Sequence, residues 1–255
     1  MRRKTAVITG ASSGIGMEFA RAFAKMGYRL VLTARRKDRL EKLRSELSVP
    51  CCIIEADLSQ ESECYQFCEK LENITIDVFI NNAGFGTCGR FEETDLGKEI
   101  SMIHVNVRAM HILLKQILKK MKKQGYGRIL NVASSAGLIP AGPYMATYYA
   151  TKSYVVSITK AVAEELKENG SKIYVGALCP GPVDTEFNER ADVMFALKGI
   201  STKLCVREAL FGMKKRKVTI VPTAKMKLCV AGQKWLPEQI LLKIVAKQQK
   251  RKTEK

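Results

Sequence analysis

Short apolar runs alternate with longer segments whose apolar residues recur every three to four positions. TAVIT (5–9), RLVLT (29–33), CCIIEA (51–56), DVFI (77–80), RILNV (128–132) and KIYVGAL (172–178) are rich in β-branched residues and poor in charge. Runs of that kind read as strands buried on both faces. Between them the spacing predicts a helix over 14–26, with Phe19, Ala20 and Phe23 on one face. Further helices are expected over 36–47, through Cys68 and Leu71, over 96–123 and over 145–169. After Pro180 the rhythm loosens: 185–216 reads as helical but irregular, and KVTIVP (217–222) as a last strand. Strands recurring with helices between them predict right-handed crossovers and an α/β fold. No repeat or Pro/Gly/Ser-rich linker divides residues 1–255, so one domain is expected.

Composition narrows the class. The chain has 255 residues, 46% of them hydrophobic, and no apolar run long enough to span a bilayer. Its basic start precedes only AVI before polar and glycine residues, too short for a signal core. A cytoplasmic protein is therefore the default expectation. The eight cysteines form no C-x-x-C pair and the histidines are only His104 and His111. Neither metal-ligand spacing nor a thioredoxin-like motif is present, so reduced thiols and no metal are expected.

The glycine turn introduces chemistry. Directly after the first strand stands TGASSGIG (9–16). A glycine-rich turn between strand and helix lets the backbone approach a pyrophosphate and aims free helix N–H groups at it. Its G-x-x-x-G-x-G spacing differs from the commoner G-x-G-x-x-G. At the end of the second strand, where NAD binders place an acid for the ribose 2′-OH, the chain has Ala34, Arg35 and Arg36. Arginines there suit a 2′-phosphate, so NADP(H) is the expected cofactor.

With TGASSGIG, NNAG (81–84), YYATK (148–152) and PGPVDT (180–185) in this order, the chain closely resembles the short-chain dehydrogenase/reductase family over roughly residues 4–186. The resemblance implies a doubly wound Rossmann-type parallel sheet of about seven strands, with helices on both faces. It implies that Gly10, Ser12, Ser13, Gly14, Ile15 and Gly16 line the pyrophosphate and that Arg35, with Arg36, holds the 2′-phosphate. Asp57 and Leu58 would flank the adenine, and Asn82, Ala83 and Gly84 would follow the cofactor. Pro180, Gly181, Val183 and Thr185 would contact its nicotinamide end. Asn106, Ser135, Tyr148 and Lys152 would form the catalytic set, Ser135 being chosen over Ser134 because it stands 13 residues before Tyr148.

The residue types fit ketone reduction. A phenol near pKa ~10 is a poor proton relay at neutral pH, and a nearby ammonium lowers that value. Residues i and i+4 share a helix face, so Lys152 is placed to act on Tyr148, whereas Tyr149 would pair with the uncharged Ser153. Tyr144 is expected at the pocket rim or in packing.

Phe85, Phe91, Leu138, Ile139, Tyr144, Phe187, Met194 and Phe195 would overhang the reacting centre. The expected substrate is a hydrophobic carbonyl: steroid, fatty acyl or aromatic ketone. Alternatives are a 3-oxoacyl-thioester reductase and a non-catalytic NADPH sensor.

Charge adds one feature. The net charge is +18, and residues 201–255 hold 15 Lys+Arg against 3 Asp+Glu. Residues 186–216 are expected to cover the substrate. Residues 233–255 are expected to form a basic amphipathic helix, striped by Leu236, Ile240, Leu241, Ile244 and Val245. That helix could pack on the domain or on a partner in a homodimer or homotetramer, dock on an anionic membrane, or attract an acidic ligand. No recognition motif accompanies the charge, so nucleic acid is not expected.

Overall fold

A computed structural model describes residues 2–186 and 199–250. Seven parallel strands lie in the order β3-β2-β1-β4-β5-β6-β7. They are β1 (Thr5–Thr9), β2 (Arg29–Ala34), β3 (Cys51–Glu55), β4 (Val78–Asn81), β5 (Arg128–Val132), β6 (Tyr174–Leu178) and β7 (Thr219–Ile220). Val7 sits between Val31 and Phe79 in register, and Ile8 between Leu32 and Ile80.

That register sorts side chains onto two covered faces. Val7, Val31, Phe79, Ile129 and Val175 pack with Phe67, Leu113, Ile117 and Val155. These come from α3 (Glu61–Lys70), α5 (Met110–Gln124) and α6 (Ala146–Glu168). The alternate residues Ile8, Leu32, Ile80, Leu130 and Leu178 pack with Phe19, Phe23, Leu40, Leu43 and Cys205. Those belong to α1 (Gly14–Lys25), α2 (Lys37–Glu46) and a helix we number α7 (Thr202–Lys214). Burial on both faces explains why the strands read as continuous apolar runs rather than alternating ones.

The predicted 96–123 helix is not regular. It opens as α4 (Leu96–Ile103), whose N-cap Asp95 accepts the Lys98 N–H at 2.6 Å. It then widens into a π-helical segment, His104–Ala109, before continuing as α5. A π-turn of this kind often marks a functional position, and this one carries Asn106. The last strand is shorter than KVTIVP, since only Thr219–Ile220 pairs with β6.

Beyond β7 come α8 (Ala224–Gly232), a 3-10 turn and α9 (Glu238–Lys250). The expected stripe of α9 splits. Leu241, Val245 and Gln249, spaced by four, are buried against the domain, while Leu236, Ile240 and Ile244 stay exposed. No described helix is long and apolar enough to cross a membrane.

Candidate active site

Strand order reverses at β1, which lies between β2 and β4. Open α/β sheets bind ligands outside the strand carboxyl ends at such a point, and a deep cleft opens there. Gly10 adopts φ +63°, a conformation open to glycine, and turns the chain into α1. The N-cap of α1, Ser13, makes no side-chain cap, and the first turn holds no acid. The helix therefore presents free N–H groups and its positive end to the cleft, an arrangement suited to a phosphate.

Of the residues expected along a dinucleotide, Gly10, Ser12, Ser13, Gly14 and Ile15 line this cleft, as do Arg35, Arg36, Asp57 and Leu58. Asn82, Ala83, Gly84, Pro180, Gly181, Val183 and Thr185 line it further along. Gly16 does not. It sits behind the turn, where an added methyl would lie 2.4 Å from the Gly10 carbonyl oxygen. Asn82 braces the turn, donating through Nδ2 to the carbonyls of Thr9 at 2.9 Å and Gly10 at 3.2 Å. Arg39, which no local spacing singles out, joins Arg36 in an ion-pair cluster with Glu186.

Around Tyr148 the structure departs from expectation in which serine meets the phenol. The hydroxyl bonded to Tyr148 belongs to Ser134, not Ser135. Ser134 caps the 3-10 turn Ser135–Leu138, its Oγ accepting the Ala136 N–H at 3.1 Å. Ser135 also faces the cleft, but its backbone N–H is anchored to the Pro180 carbonyl at 2.7 Å.

Lys152 lies on the expected helix face, one turn from Tyr148. Its Nζ is 5.8 Å from the Tyr148 ring centroid and donates to the Val132 carbonyl at 3.0 Å. Burial pushes the phenol up to about 12, partly offset by the Ser134 hydrogen bond. Burial also pulls the Lys152 ammonium down to about 8.

Asn106, 1% exposed, does not line the cleft. Its side chain accepts the Phe85 N–H at 3.0 Å and donates to the Phe85 carbonyl at 2.8 Å and to Thr151 Oγ1 at 3.1 Å. It thus fixes the loop after β4 beside Lys152. A methyl added at Gly84 would lie 2.8 Å from Asn106 Oδ1 and 3.3 Å from Lys152 Nζ.

The apolar wall also differs from the one expected. Phe85 and Ile139 line it, joined by Met145, Tyr149, Met226 and Cys229. Leu138 packs into the core, Phe91 is 66% exposed, and Tyr144 lies off the cleft with φ 64°. Phe187, Met194 and Phe195 lie outside the described residues. Tyr149 is more than packing: it lines the cleft and accepts a 2.6 Å hydrogen bond from Gln249 Nε2 on α9.

The chain is similar to known proteins over most of its length. The short-chain dehydrogenase family description matches residues 4–194. A D-beta-hydroxybutyrate dehydrogenase of Rhizobium meliloti is 32% identical over 239 residues, covering 90% of this chain and 92% of its own. A short-chain dehydrogenase from Sphingobium yanoikuyae, solved in complex with NADPH, superposes with TM-score 0.82 at 31% identity, covering 91% and 92%. The bulky-bulky ketone specific alcohol dehydrogenase from Comamonas testosteroni gives TM-score 0.77 at 30% identity, covering 92% and 94%. A glycine turn at the strand-order reversal, a buried tyrosine and lysine one helical turn apart, and these matches together place the chain: it is an oxidoreductase of the short-chain dehydrogenase family.

Proposed function

We propose that this chain is an NADP(H)-dependent reductase interconverting hydrophobic ketones and secondary alcohols. The observation that carries the reading is the buried Tyr148 hydroxyl, bonded to Ser134 at the apolar end of the cleft whose other end holds the uncapped glycine turn. A nicotinamide bound along that cleft would supply the hydride. Gly10, Ser12 and Gly14 would hold its pyrophosphate, and Arg35 with Arg36 its 2′-phosphate. NADPH in the Sphingobium enzyme and a bulky ketone in the name of the Comamonas enzyme support the same assignment.

The chain's own groups handle the proton. A phenol held near pKa 12 stays protonated at neutral pH and has its proton ready for the substrate oxygen. Ser134 is the second hydroxyl at that oxygen and replaces Ser135 in the proposed catalytic set; it polarises the carbonyl toward the charge it gains. Lys152, charged below about pH 8, stabilises the phenolate left after transfer. Asn106 positions the Phe85 loop beside the ammonium.

A matched panel tests the function. With NADPH, the protein turns over bulky aromatic or steroid ketones faster than acetoacetyl-CoA, and each of them faster than with NADH. Absence of nicotinamide oxidation with every carbonyl would leave a sensing protein instead. The pH profile tests the lysine. Because its pKa is depressed, the ammonium is present below about 8 and is lost as pH rises through that value. Reductive kcat/KM should fall along a single-proton limb above about pH 8. Lys152→Met should remove that limb and lower kcat by roughly 10²-fold. An unchanged limb in the mutant would exclude Lys152 as its source.

A further inference from the structure

The chain leaving β6 carries a carboxylate onto the arginines that follow β2. Thr185 rests on the glycine turn, where a methyl added to Gly14 would lie 3.1 Å from its Cγ2. The next residue, Glu186, reaches both Arg36 and Arg39. Its Oε2 is 3.3 Å from Arg36 Nη1, and its two oxygens are 2.5 and 2.7 Å from Arg39 Nη1. Arg36 turns its other terminal nitrogen to Ser12 Oγ at 3.1 Å, in the glycine turn itself. A carboxylate bridging two guanidinium groups makes the same charge-assisted bonds that a phosphate monoester would make there.

We infer that Glu186 is a tethered competitor for the 2′-phosphate of NADP(H). The inference rests on the NADP(H) reading above. In the free protein the carboxylate occupies the arginines, so the phosphorylated dinucleotide binds only to the fraction of molecules in which Glu186 has let go. Its apparent affinity is reduced by that fraction. A dinucleotide without the 2′-phosphate makes no demand on Arg36 and Arg39 and is unaffected. Glu186 thus sets how strongly the chain discriminates between the two cofactors. It also gives the departing cofactor an internal replacement for its phosphate.

Calorimetric titration of the full chain with adenosine 2′,5′-bisphosphate and with 5′-AMP tests this without relying on turnover. Glu186→Gln should bind the bisphosphate roughly three- to tenfold more tightly than wild type, the range expected for partly exposed ion pairs. Its 5′-AMP affinity should stay within about twofold. Asp38→Asn, in the first turn of the helix that carries Arg39, removes the same charge nearby and should leave both affinities within about twofold. If Glu186→Gln leaves bisphosphate affinity unchanged while wild type still prefers it to 5′-AMP, the competition is overturned and the cofactor reading stands. An equal gain in Asp38→Asn would likewise overturn it, by tracing the effect to general charge. If no variant distinguishes the two nucleotides, the NADP(H) reading fails and the inference with it.

Discussion

Tyr148→Phe is expected to lower kcat for ketone reduction by roughly 10³-fold, the loss typical of a removed general acid. Dinucleotide affinity should stay within about twofold, because the deleted oxygen is bonded to Ser134 rather than to the glycine turn. Tyr149→Phe should behave differently. Its hydroxyl faces Gln249, so its loss frees one buried amide and loosens the apolar wall. KM for the ketone should rise several-fold with kcat little changed. Steady-state kinetics alongside fluorescence titration of NADPH separates the two. An inactive Tyr149→Phe beside an active Tyr148→Phe would exchange the roles assigned to the pair.

Gly16→Ala is expected to unseat the cofactor end without touching the cleft directly. The new Cβ would lie 2.4 Å from the Gly10 carbonyl oxygen and 2.6 Å from Asn82 Nδ2, so α1 must move away from the turn it abuts. Overpacking of this kind costs about 2–3 kcal/mol, which lowers Tm by roughly 5–10 °C in a chain this long. Dinucleotide affinity should fall at least about tenfold, since the displaced helix carries the N–H groups aimed at the phosphate. Gly232→Ala is the matched control: its φ is −63° and a Cβ there meets nothing within 4 Å. Its Tm should be unchanged or slightly higher. Equal Tm for the two variants, measured by calorimetry, would show that the turn can yield without loss.

The sheet was legible because its strands are buried on both faces, so TAVIT, RLVLT and RILNV declare themselves as unbroken apolar runs. The site was legible where chemistry demands a residue type at a fixed spacing, as in the glycine turn. It was not legible where neighbours in sequence diverge in space. Ser134 and Ser135 are adjacent, but Ser134 has extended backbone (φ −167°) as the cap of a 3-10 turn, and no counting of residues reveals which hydroxyl meets Tyr148. The π-turn at Asn106 leaves no trace in hydrophobic period, because one widened turn barely shifts the faces on either side. The i,i+4 rule brought Lys152 beside Tyr148 but is silent on desolvation, which raises one pKa and lowers the other. Arg39 reads as one charge in a charged helix; only its contact with Glu186, 147 residues away, distinguishes it.

The hydrogen bond between Gln249 and Tyr149 joins residues 100 positions apart. During synthesis the chain emerges from its N-terminal end, and domains begin to fold as they appear. The glycine turn and the strands that frame it are therefore available long before the residues that wall the apolar end. A domain folds as a unit, so the apolar wall is complete only once α9 is in place, with Gln249 on Tyr149.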